Sequence, residues 1–244
     1  MEVRVAAPTV SEASHVIAFI IVLSVIGAGF IRKTFFGADF WLVLLAMPSL
    51  PRLIVATRNA HKTAEIRDVV GDRFEVMDAS NFSDWPIIKE TGATFLENAR
   101  LKALGISEVI DGWVLSDDSG LEVDALDGAP GVWSSSFGGE EGNHAMNNER
   151  LMQEMKGKSE RKARFRCTMV LAKSGKEWAH FSGVVEGQIV DDLRGIGGFG
   201  YDPLFIPEGH ERTFGELGAA VKSQLSHRSR ALAQAIGYLE KSSN

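Results

Sequence analysis

Apolar residues along this chain fall into short runs and spaced stripes that predict alternating strands and helices. Leu53-Ile54-Val55-Ala56 is a continuous apolar run passing into polar Thr57-Arg58-Asn59, which predicts a buried strand and then a loop. Over residues 62–70, apolar Ala64, Ile66, Val69 and Val70 suit a short helix. Thr94-Phe95-Leu96-Glu97 has capping-box spacing, and the helix that it starts would bury Leu96, Ala99, Ala103 and Ile106. Trp113-Val114-Leu115 predicts a strand closed by Asp117-Asp118-Ser119-Gly120-Leu121 at its end. A polar, Met-bearing helix is expected near residues 143–156. Residues 163–172 alternate cleanly and residues 178–190 less so, which suggests two partly exposed strands. Leu204-Phe205-Ile206 reads as a short buried strand and Thr213 with Glu216 as a second capping box. Ser226 is a good N-cap for a last helix through Leu239. Strands alternating with helices, without repeats or an internal linker, give an α/β domain over residues 51–244.

Residues 1–50 read differently. Residues 13–31 contain no Asp, Glu, Lys or Arg, Arg32-Lys33 follow, and a second apolar patch covers residues 40–47. The first stretch just reaches the length of a membrane-spanning helix and is softened by Ser24, Gly27 and Gly29. Arg32-Lys33 would keep the following domain in the cytoplasm. A cleaved signal peptide fits poorly, because Glu2 offsets Arg4 and no small-x-small site follows the apolar core. Met47-Pro48-Ser49 leads directly into the first strand, so the expectation is an over-extended start, with a membrane anchor as the alternative.

Composition narrows the chemistry. The 244 residues are 45% hydrophobic and 24% charged, as in an ordinary globular protein. A net charge of −6 (26 Lys and Arg against 32 Asp and Glu) argues against nucleic acid as a partner, but leaves room for a small anionic ligand held by a few local cations. The single cysteine, Cys167, permits no internal disulfide and alternates with Phe165 and Met169 as a core residue would.

Some familiar motifs fail on context. Gly195-Ile196-Gly197-Gly198-Phe199-Gly200 matches G-x-G-x-x-G, yet a strand-like run follows where a dinucleotide fold needs a helix. Gly157-Lys158-Ser159 resembles the end of a P-loop, but Met152 stands where glycine is required. The histidines His15, His61, His144, His180 and His210 show no metal-ligand spacing and read as surface or packing residues.

Four other segments cohere. Thr57-Arg58-Asn59-Ala60-His61-Lys62 lies between a strand and a helix, where backbone amides and the helix dipole favour an anion. Asp117-Asp118 supplies carboxylates suited to Mg²⁺, although Asp, Ser and Gly are also common turn residues. Gly197 to Pro203 is a glycine-rich backbone bearing Phe199 and Tyr201, either a stacking surface for a base or a tight turn with core aromatics. Lys222 and Ser226-His227-Arg228 gather donors around one helix start, fit for phosphate oxygens or a base carbonyl, or else a solvated basic helix end.

Taken in order with Glu90-Thr91-Gly92, Thr94-Phe95, Glu97-Asn98-Ala99 and Gly128-Ala129-Pro130-Gly131, these segments resemble the inosine triphosphate pyrophosphatase family, which removes non-standard purine nucleotides. The resemblance runs from about Leu53 to Leu239. It implies a long mixed central sheet flanked by helices, in two lobes around a nucleotide cleft. It also implies hydrolysis of dITP, ITP or XTP to the monophosphate and pyrophosphate, with Mg²⁺, in a cytoplasmic homodimer. By that likeness Thr57 to Lys62 and Lys222 hold the triphosphate, with Ser119 adding a contact. Asp118 is the proton acceptor and a metal-linked carboxylate, and Glu90 is an outer metal ligand. Phe199, Gly200, Tyr201 and Asp202, with His227 and Arg228, take the base. Two departures stand out: Ser134-Ser135-Ser136 replaces a Ser-Ala-Arg, and Lys89-Glu90 replaces two acids. A pyrimidine preference is a second enzymatic reading, against which the Ser-His-Arg setting counts. A non-catalytic or membrane-tethered nucleotide binder is a third, against which the presence of Asp118, Lys62 and Lys222 together counts.

Overall fold

The computed structural model describes residues 29–35, 38–44 and 50–242, of the first two segments and of Ser242 the backbone alone. The chain divides into two units, Met1–Leu50 and Pro51–Asn244. In the first, strands β1 (Gly29–Phe35) and β2 (Ala38–Leu44) form an antiparallel hairpin. The apolar stretch 13–31 lies outside the described residues except for Gly29–Ile31, which are strand. Among the described residues no helix is long and apolar enough to cross a membrane.

The second unit runs β3 (Arg52–Val55), α1 (Ala60–Val70), β4 (Glu75–Met77), α2 (Phe95–Ser107), β5 (Trp113–Val123) and α3 (His144–Met155). It continues with β6 (Lys162–Lys173), β7 (Lys176–Ile189), β8 (Phe205–Pro207), α4 (Phe214–Leu217), α5 (Ala219–Leu225) and α6 (His227–Ser242). One mixed six-stranded sheet has the order β4-β3-β5-β6-β7-β8. β3 pairs in parallel with β4 and β5, and the remaining pairs are antiparallel. The fold is therefore the mixed sheet flanked by helices that the resemblance implies.

Both capping boxes form. Thr94 accepts from the Glu97 amide while Glu97 reaches back to the Thr94 amide, and Thr213 and Glu216 pair likewise. Ser226 Oγ accepts the Ser229 amide at 3.1 Å and caps α6.

Two readings need correction. β6 is central rather than partly exposed. Val170 and Ala172 pack on Ala99 and Ala103 of α2, while Cys167, Met169 and Leu171 face α6, so helices cover both sides. Cys167 is fully buried as expected, and burial pushes its thiol upward in pKa. The second correction concerns the carboxylates: β5 does not stop at Leu115 but carries Asp117-Asp118-Ser119-Gly120 through its middle, paired with Met169 to Arg166 of β6. Long-range pairing overrides the turn preference of these residues.

That misread turn is the key to the site. β3 ends at Val55, opposite Leu115, so past this point β5 is paired only on its β6 side until Glu122 meets Pro130. The same polar stretch divides the core. Leu115, Met169 and Leu171 join the α1–α6 cluster, whereas Leu121, Val123, Ala163 and Phe165 join a second cluster with α3 and β8. The cleft opens where the two apolar cores part.

Candidate active site

Side chains alternate along a strand, so Asp117 and Asp118 point to opposite faces of β5. Asp117 turns toward α1 and α6 and is almost completely buried. Its Oδ2 lies 3.0 Å from Lys62 Nζ, 3.3 Å from both Nε and Nη2 of Arg228, and 3.2 Å from the Ser119 hydroxyl. Burial alone would raise its pKa, yet Lys62, Arg228 and Lys102 hold it far below the usual carboxylate range. Arg228 also grips Glu65, whose other oxygen takes Lys222 Nζ at 2.7 Å. Lys222 in turn lies 2.5 Å from buried Asp202. Desolvation raises the Asp202 pKa despite that lysine.

Asp118 turns toward α2. Asn98 and Lys102, one helical turn apart on that helix, address its two oxygens: Asn98 Nδ2 donates at 3.1 Å and Lys102 Nζ stands 3.7 Å away. Lys102 also contacts Glu90 at 2.5 Å. Desolvation raises the Asp118 pKa, with Lys102 and Lys62 pulling the other way and Glu90 adding to the rise. The environment therefore separates two adjacent carboxylates: cations hold one as an anion, and burial raises the proton affinity of the other.

A cleft of about 480 Å³ opens over Asp118. Its wall includes Thr57, Arg58, Asn59, Lys62, Glu90, Ser119, Phe199, Gly200, Tyr201, Asp202, Lys222, His227 and Arg228. Ala60 and His61 do not reach this wall. They open α1 and are exposed, while Asn59 Oδ1 accepts the His61 and Lys62 amides as the N-cap. His61 instead stacks on Phe199, with centroids 5.2 Å apart and a 19° interplanar angle. Phe199 also lies 4.3 Å from Lys222 Nζ and 6.0 Å from the His144 ring. His227 is buried and stacks on Phe165, and desolvation keeps its imidazole well below the ordinary pKa, hence neutral. Tyr201 is held in the second core, its hydroxyl donating to Ser134 carbonyl at 2.9 Å. The Gly195-to-Gly200 segment leads into a short turn and β8, not a helix, so the dinucleotide motif is ruled out.

Sequence reading missed Glu65, Asn98 and Lys102. Glu65 sits three residues after Lys62, and Lys102 four after Asn98, spacings that place each pair on one helix face. It also missed Trp133, which lines the cleft yet is 67% exposed at its rim.

Residues 53–238 match the model of the Ham1 family. The chain belongs to the Ham1 family. It is 44% identical over 187 residues to a dITP/XTP pyrophosphatase of Geobacter sulfurreducens, covering 75% of this chain and 94% of the relative. It is 43% identical to a dITP/XTP pyrophosphatase of Halalkalibacterium halodurans, over 77% and 98% of the two chains. Among solved structures, a Ham1 protein from Coxiella burnetii superposes with a TM-score of 0.72 at 35% identity, covering 79% of this chain and all of that one. The Staphylococcus aureus Ham1 protein gives 0.71 at 34%, covering 78% and 99%.

No group of three or more His, Cys, Asp or Glu converges as a ready metal cage among the described residues. The donors nonetheless fit Mg²⁺, which takes one or two carboxylates and completes its shell with water and phosphate. In this Ham1 chain Asp118 and Glu90 reach a common ammonium, so both carboxylates can address one cation.

Proposed function

We propose that this chain hydrolyses non-standard purine nucleoside triphosphates of the dITP/ITP and XTP/dXTP class to the monophosphate and pyrophosphate, working from residues 51–244. The observation that carries the reading is the pairing of cleft lysines with Asp118, whose pKa burial raises, in a Ham1-family chain 44% identical to a dITP/XTP pyrophosphatase. Lys62, Lys102 and Lys222 supply cations for a polyphosphate, with Thr57, Asn59 and Ser119 as polar contacts. Asp118 orients the attacking water and takes its proton. Asp118 and Glu90 would hold Mg²⁺, which supplies charge neutralisation to the phosphates. The donor set of the cleft, not a preformed metal cage, supports that assignment.

Base choice falls to the Phe199–Asp202 segment with His227 and Arg228. Four hydrogen bonds fix the Arg228 guanidinium to Asp117, Glu65 and Ser119, which leaves one of its five N–H groups without a partner among the described residues. A donor held so rigidly donates to the six-carbonyl of hypoxanthine or xanthine and opposes the six-amine of adenine. A cytoplasmic homodimer belongs to the same reading, on the resemblance alone.

The test is product separation by chromatography after incubation with dITP, XTP, ATP and GTP in Mg²⁺. Monophosphate and pyrophosphate from dITP and XTP, at rates well above those for ATP, are the expected result. Nucleoside diphosphate and orthophosphate as the products would overturn it.

A further inference from the structure

Lys102 occupies the place where a divalent ion shared by Glu90 and Asp118 would sit. Its Nζ is 2.5 Å from Glu90 Oε2 and 3.7 Å from Asp118 Oδ1, and its side chain is only 13% exposed. A Mg²⁺ ion bound by both carboxylates needs oxygens at about 2.0–2.1 Å and near-octahedral geometry. That ion and the ammonium would compete for the same two carboxylates, with like charges side by side if both stayed. Helix α2 holds the lysine in position: Asn98, a turn earlier, is tied to Asp118, and Ser116 Oγ donates to the Ala99 carbonyl. We propose that Lys102 is a built-in counter-ion that closes the Glu90–Asp118 pair to metal until an incoming polyphosphate draws its ammonium away.

The proposal rests on the reading of Glu90 and Asp118 as metal ligands. In the empty cleft the lysine offsets part of the charge on the two carboxylates, so a dication must displace a cation already held there. A triphosphate offers the same ammonium a stronger anionic partner in the same cleft, and its departure uncovers two carboxylates together. Metal and nucleotide are then linked: each binds better in the presence of the other, by the same factor. Without metal or nucleotide, Lys102 spares the protein a bare pair of carboxylates.

Calorimetric titration of Mg²⁺ into the nucleotide-free protein tests this without reference to turnover. Wild type should bind weakly, and Lys102→Met, which keeps the apolar stem, should bind on the order of tenfold tighter. Adding Glu90→Gln to Lys102→Met should abolish the gain. Lys62→Met removes an equal charge beside Asp117 and should produce a much smaller change. A Lys102→Met protein that binds Mg²⁺ no tighter than wild type, or a gain as large in Lys62→Met, would overturn the proposal. If Lys102→Met unfolds, Lys102→Gln carries the same comparison, with melting temperature as the folding control. Pyrophosphate release from dITP by the wild type is scored separately: its absence sinks the functional reading, whereas unchanged metal affinity sinks only the role of Lys102.

Discussion

The two faces of β5 around residues 117 and 118 solve the same problem in opposite ways. On the α6 face, Asp117 is sealed among Lys62, Arg228 and Ser119, and a chain of ion pairs continues through Glu65 to Lys222 and Asp202. On the α2 face, Asp118 borders the cleft with the Asn98 side-chain amide, the Ser119 backbone N–H and one more distant lysine for partners. The sealed face keeps its carboxylate ionised through cations on α1 and α6, which suits a scaffold. The open face keeps a carboxylate whose proton affinity burial has raised, which suits chemistry. Neighbouring residues in the sequence thus meet different electrostatic surroundings, because a strand sends them to opposite faces, and on the proposed function they divide structure from reaction.

The sharpest way to break the comparison is to remove each carboxylate in turn. Asp117→Ala leaves Lys62 and part of Arg228 buried without their anion, and should cost about 3–5 kcal/mol of stability, as for one partner removed from a buried ion pair. Denaturant titration reads this directly, and a loss below about 1 kcal/mol would mean that the sealed cluster is not structural. Asp118→Asn should fold normally and lower kcat about 10²-fold or more. Its melting temperature should stay at or slightly above wild type, since a carboxylate with a raised pKa is costly to ionise in the folded state. If both substitutions cost mainly stability, or both mainly turnover, the division of labour is wrong.

How much of this was legible in the sequence depends on the range of the interactions. Local signals carried the capping boxes at Thr94 and Thr213, the Ser226 cap and the apolar strand Leu53-Ile54-Val55. The placement of Asp117-Asp118 was misread as a strand end, because Asp, Ser and Gly favour turns locally and only pairing with β6 makes them strand. Glu65 and Lys102 were within reach, since their helical spacing from Lys62 and Asn98 puts them on the same face. What no local pattern supplies is the partner: Glu65 meets Arg228 across 163 positions of chain. The sealed face was therefore less readable than the open one, whose Asp118, Asn98 and Lys102 lie within twenty positions of each other.

The mildest test probes the far end of the sealed face. Glu65 has burial working to raise its pKa, but Arg228 and Lys222 overcome this and hold it below the ordinary carboxylate value. A lowered folded-state pKa means that ionised Glu65 stabilises the fold at pH above the unfolded value of about 4.3, and that this contribution fades as pH falls through the folded value. Glu65→Gln keeps the shape and some hydrogen bonding, so it should cost about 1–3 kcal/mol at neutral pH, the size of a charge-assisted bond. The gap between wild type and variant should stay constant from pH 7 down to about 5 and then close on further acidification, as wild-type Glu65 takes up its own proton. Melting curves of the two proteins across that range measure the gap. A penalty that persists unchanged into acid would trace it to lost packing rather than charge, and would end the sealed ion-pair chain at Arg228 instead of carrying it on to Lys222.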